Sequence, residues 1–94
     1  MAWIVELIDE NHFQQALLNK ELAVTIDLRH NDFLLLRYLD PYGDTVFNRL
    51  QMEDLIKDLL RLRNLSHDST TDDIIALAER CKQDAHLYLV FCGD

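Results

Sequence analysis

The chain has 94 residues, of which 17 are acidic and 9 basic, for a formal charge of −8 at pH 7. A field of that sign repels the phosphates of nucleic acids and anionic membrane surfaces and attracts basic proteins, so the first two partner classes are excluded and a protein partner is expected. The hydrophobic share of 49%, with two glycines and one proline, supplies the apolar area for a single folded domain over 1–94, which buries roughly 60–65% of the surface its unfolded chain exposes.

No apolar run approaches the roughly 20 residues of a bilayer-crossing helix. The first residues meet Glu6, Asp9 and Glu10 without a basic stretch ahead of an apolar one, which is unlike a secretory signal. The two cysteines, Cys81 and Cys92, are too few for a disulfide framework and sit among apolar neighbours, as free thiols do in a reducing compartment. A cytoplasmic protein is expected.

In chain order, "AWIVELI" at 2–8 is apolar on both alternating faces and predicts a strand buried on two sides, although Ile4 and Ile8, or Trp3 and Leu7, at a spacing of four also fit a helix. "DENHFQQALLNKE" at 9–21 predicts a helix, with Asp9 or Asn11 as cap and Phe13, Ala16 and Leu17 on one face. "LAVTIDLR" at 22–29 predicts a strand, Leu22, Val24, Ile26 and Leu28 alternating with Ala23, Thr25, Asp27 and Arg29. A turn at 30–32 leads into "FLLLRYLD" at 33–40, expected to pair Leu34 with Leu28, Leu36 with Ile26 and Tyr38 with Val24.

"DPYGD" at 40–44 raises the choice between a cation-binding loop and a turn. Asp40, Pro41 and Gly43 suit positions i, i+1 and i+3 of a type I turn, with Gly43 left-handed in a three-residue hairpin loop ahead of "TVFNRL" at 45–50. In that register Asp40 and Asp44 face each other, while the EF-hand spacing of ligands is absent. The turn is the expected reading.

"QMEDLIKDLLRLR" at 51–63 repeats Met52, Leu55, Ile56, Leu59 and Leu60 at helical intervals, the stripe of a helix packed on a sheet. After a polar loop, Thr70 and Asp73 suggest a capping box opening a third helix through Ile74, Leu77, Ala78 and Cys81. "HLYLVFC" at 86–92 is apolar on both faces and predicts a central strand. The expected fold class is α+β: a five-stranded sheet containing an antiparallel meander, about three helices, and the order β-α-β-β-β-α-α-β.

Sites for chemistry are sparse. Cys81, His86 and Cys92 lack the paired spacing of zinc knuckles, and consecutive Ser66, His67 and Asp68 cannot converge as a triad does. Two glycines exclude the phosphate-binding loops of common nucleotide enzymes. Neither a catalytic set, a metal site nor a cofactor is expected.

Two surfaces remain. Phe33, Leu35, Leu39 and Phe47, interleaved with Arg29, Arg37 and Arg49, would form a second sheet face left open if the helices cover the first, unless one helix crosses over. Aromatic and arginine side chains are the common anchors of protein interfaces. Asp54, Asp58, Asp68, Asp72 and Asp73 would form an acidic surface on the helical side, suited to a basic enzyme as in an inhibitor or immunity-type protein. The expected function is thus a non-catalytic protein-interaction module, binding another protein or itself as a homodimer. The alternative is a small enzyme or ligand-binding or metal-binding domain whose pocket between helix and sheet has His86, Asp94 or the Asp40/Asp44 pair at its mouth.

Overall fold

The two segments apolar on both faces, near the two ends of the chain, become the middle of the sheet. In the computed structural model, which describes residues 1–29 and 32–93, β1 (Ala2–Asp9) runs antiparallel to a late strand at Leu87–Cys92. The expected roles of His30, Asn31 and Asp94 lie outside the described residues.

The segment expected as the first helix is a strand, β2 (Gln14–Leu17), returning along β1 in a hairpin. Its turn is made by Asp9: the carbonyl accepts from the His12 amide at 3.0 Å and Oδ1 accepts from Asn11 and Phe13 at 2.9 Å each. His12 takes the left-handed conformation, φ 65°, that such a three-residue loop requires. A bulge beyond Leu7 leaves Gln15 unopposed and turns Ala16 inward. The helix reading fails because Asp9 offers turn amides the same acceptor that it would offer a helix N-terminus.

β3 is only Leu22–Ala23, pairing with Ala2 and Trp3 of β1. Beyond it the expected alternation persists, Val24 and Leu28 buried and Thr25, Asp27 and Arg29 exposed; Val24 still exchanges backbone hydrogen bonds with Met1 at 2.8 and 3.3 Å, but residues 25–29 are not strand. The strand expected at 33–40 is likewise irregular, with a 3-10 turn at Leu36–Tyr38. Phe33, Leu36 and Leu39 point inward at the three-residue spacing of such a turn. The expected meander is therefore absent. A fourth strand, β4 (Asp44–Asn48), pairs with the final strand, β5 (Leu87–Cys92), and the sheet order is β2-β1-β5-β4 with β3 beside β1.

α1 (Met52–Ser66) and α2 (Thr70–Lys82) are the two α-helices among the described residues. The chain enters α1 through reciprocal capping: Asn48 Oδ1 accepts from the Leu50 amide at 3.0 Å and Gln51 Oε1 accepts from the Asn48 amide at 2.9 Å. α2 opens differently from expectation. Ser69 is its cap residue, and Asp68 Oδ1 accepts from the Thr70 amide at 2.9 Å.

One core joins both helices, the inner sheet face (Val5, Leu7, Phe47, Leu89, Phe91) and the loop residues Leu28, Phe33, Leu36 and Leu39. Two helices about 10 Å across span four strands spaced about 4.8 Å apart, so this pair covers one side of the sheet. No helix among the described residues is long and apolar enough to cross a membrane.

Candidate functional site

The opposite face follows from pairing register. Across it run three rows: Ile4, Cys92 and Asp44; Leu17, Glu6, Val90 and Val46; Gln14, Ile8, Tyr88 and Asn48. Val90 and Ile8 are only 3% and 7% exposed, yet neither belongs to the core shared with the helices. Val46 and Leu17 at the edges of the same face stay 53% and 49% exposed.

A hollow of about 430 Å³ lies on this face, with Ile8, Val46 and Val90 as apolar floor and Glu6, Asp9, Glu10 and Asp44 as acids. His12 is its one basic side chain, and neither Lys nor Arg occurs in the lining or in the three rows. Beside it, His86 Nδ1 pairs with Glu10 Oε2 at 3.0 Å, and that hydrogen bond raises the His86 pKa above its ordinary 6.5. Burial first, then the carboxylates of Asp44 and Glu6, pushes the Cys92 thiol up to about 11. The thiol therefore stays protonated at neutral pH and is a poor nucleophile.

Compared with known proteins, the chain matches no family model, no curated protein and no solved structure.

The sequence-derived sites are redistributed. Phe33, Leu39 and Phe47 are core, and Leu35 is half-buried against it. Arg37 and Arg49 are exposed on separate 3-10 turns, so the expected arginine-aromatic sheet face does not assemble. On the helical side Asp58 is 4% exposed, its carboxylate accepting the amides of Leu34, Leu35 and Leu36 at 3.0, 2.6 and 3.0 Å. It faces inward and adds nothing to an acidic surface. Asp68 holds the start of α2 and Asp72 pairs with Arg63 at 3.0 Å, while Asp54 and Asp73 are exposed.

The candidate chemical groups do not converge either. Ser66 Oγ donates to the Leu62 carbonyl, His67 is the left-handed cap of α1, and Asp68 serves α2. Cys81 is buried with Sγ donating to the Leu87 carbonyl at 3.4 Å, whereas Cys92 lies on the outer face. Among the described residues, no group of three or more His, Cys, Asp or Glu side chains is placed to hold a metal ion.

Asp40 through Asp44 is a turn, as expected, but with different partners. Asp40 Oδ1 accepts from the Tyr42 amide at 2.9 Å, its amide donates to Thr45 Oγ1 at 3.1 Å, and its carbonyl accepts from Trp3 Nε1 at 2.9 Å. Gly43 is not left-handed, and Asp44 pairs with Cys92 rather than facing Asp40.

The residues that sequence reasoning missed are Ile4, Glu6, Ile8, Val46, Tyr88 and Val90. Their signal was present: the segments at 2–8 and 86–92 are apolar on both alternating faces, which marks surplus apolar β-surface wherever helices cover only one side.

Proposed function

We propose that the protein is a non-catalytic binding module that engages a basic protein through the outer face of its sheet, in the manner of an acidic inhibitor or immunity-type protein. The supporting observation is the composition of that face: an apolar floor of Ile8, Val46 and Val90 beside Glu6, Asp9, Glu10 and Asp44, with no Lys or Arg in the lining. A lysine or arginine from a partner can lay its aliphatic stem on such a floor and place its charged head among the carboxylates. Partly desolvated carboxylates give specificity and fast association with a cationic surface.

The same composition disfavours a homodimer stacked face to face. Two copies would oppose Glu6 and Asp44 to the same acids, and like charges brought together across an interface cost several kcal/mol. A different, basic chain relieves that repulsion.

The test is affinity capture from the native extract using wild-type protein and the double variant Glu6→Lys/Asp44→Lys. Wild type is expected to retain a basic protein at low salt and release it at high salt, because the attraction is screened, and the double variant is expected to lose it. Equal recovery by the variant, or no basic protein retained by wild type, contradicts the proposal.

A further inference from the structure

A cleft of about 640 Å³ lies elsewhere, walled by residues of the irregular segments 24–29 and 36–41, with Met1 and Trp3 also in its lining. We infer that this cleft is a second binding site, for a small amphipathic carboxylate whose alkyl body occupies the apolar interior and whose charged head meets Arg29 and Arg37.

Its apolar lining is the accessible side chains of Met1, Ile26 and Pro41, backed by the core residues Trp3, Val24, Leu28, Leu36 and Leu39. Its volume falls within the roughly 300–1,000 Å³ common for ligand pockets. Arg29 and Arg37 are exposed residues of its lining, and both also border an adjoining hollow of about 400 Å³ with Tyr38, Asp40 and Pro41. Both arginine residues thus border the apolar lining and the adjoining hollow.

Both arginines are carried on fixed backbone. Asp27 Oδ1, itself in the cleft wall, accepts the Arg29 amide at 2.9 Å. The 3-10 turn bearing Arg37 is tied to α1 through the Asp58 carboxylate. The Arg37 guanidinium lies over the Tyr38 ring at 5.7 Å, a cation–π contact.

Charge gives the direction. The chain carries −8 overall, yet two of its nine basic side chains border one apolar cleft. The ion pairs among the described residues, Arg63 with Asp72 and His86 with Glu10, involve neither arginine. Guanidinium groups match a carboxylate in two-pronged geometry, and an unbranched alkyl chain suits the apolar lining of Met1, Ile26 and Pro41. This reading is independent of the outer sheet face.

Trp3 is the only tryptophan and backs the cleft, its indole N–H donating to the Asp40 carbonyl, so its emission is the probe of occupancy. Decanoate, kept below its micellar concentration, is titrated into wild type and into Arg29→Gln/Arg37→Gln, with 1-decanol and acetate as separate ligands. Decanoate is expected to produce a saturable change in Trp3 emission. Roughly tenfold or weaker affinity is expected for 1-decanol and for the double variant, since charge-assisted contacts are lost, and acetate is expected to give no change. No saturable response to decanoate, or equal affinity for 1-decanol, overturns the inference. So does undiminished binding by the double variant. The comparison with 1-decanol uses wild-type protein and decides the matter even where the variant folds poorly.

Discussion

Asp58 illustrates how a residue type misleads when its setting is hidden. In sequence it lies among the polar residues of an amphipathic helix, where a carboxylate is expected in solvent. In the fold it organises the loop against α1 by accepting three consecutive amides. Replacing it with Ala leaves those donors with no acceptor in a partly buried site, and we expect a loss of roughly 3 kcal/mol or more in urea denaturation. Asp58→Asn keeps one acceptor oxygen and should fall between. His86 offers a second prediction at this scale. Its pKa is raised by the hydrogen bond to Glu10, so the stabilising effect is fully present below the unfolded value near 6.5 and fades as pH rises through the folded pKa. An NMR titration should show a midpoint above 6.5 that moves back toward it in Glu10→Gln.

Among elements, those whose periodicity reported their own packing were legible: both apolar strands near the chain ends, α1, and α2. The failures share a physical cause. Asp9 bonding turn amides and Asp9 capping a helix are one local chemistry, and only the pairing of Gln14–Leu17 with β1 separates them. Leu22 to Arg29 alternate as a strand would because alternate side chains are buried, but alternation records burial and not a hydrogen-bonded neighbour. Phe33, Leu36 and Leu39 carry a three-residue spacing hidden within a continuous apolar run. Most of the expected open face, Arg29 and the residues from Phe33 to Leu39, consequently falls on segments that are not strands, although the surplus apolar β-surface itself is legible. The DPYGD turn yields a prediction at this scale. A Cβ on Gly93 would sit 2.5 Å from the Asp40 carbonyl oxygen and 2.6 Å from Pro41 backbone atoms, whereas one on Gly43 would meet the Asp40 side chain, its Oδ2 at 2.8 Å. Gly93→Ala should therefore cost about 1–3 kcal/mol in thermal or urea unfolding. Gly43→Ala should cost less, because a side chain moves aside more readily than backbone.

At the scale of the whole molecule, two helices and a four-strand layer leave one side of the sheet facing solvent. Its apolar centre would invite self-association, but the carboxylates of Glu6, Asp9, Glu10 and Asp44 oppose it. We expect the isolated protein to sediment as a monomer at neutral pH and low salt. The helical side offers less: Asp58 is internal, Asp68 holds the start of α2, and of the exposed Asp54, Asp72 and Asp73 the second is paired with Arg63. Amide chemical-shift mapping of the labelled protein with the basic protein it captures distinguishes the two sides directly. The largest shifts are expected on Ile4, Glu6, Ile8, Val46, Tyr88 and Val90, and are expected to vanish in Glu6→Lys/Asp44→Lys. Shifts confined to the outer surfaces of α1 and α2 would contradict binding through the outer sheet face.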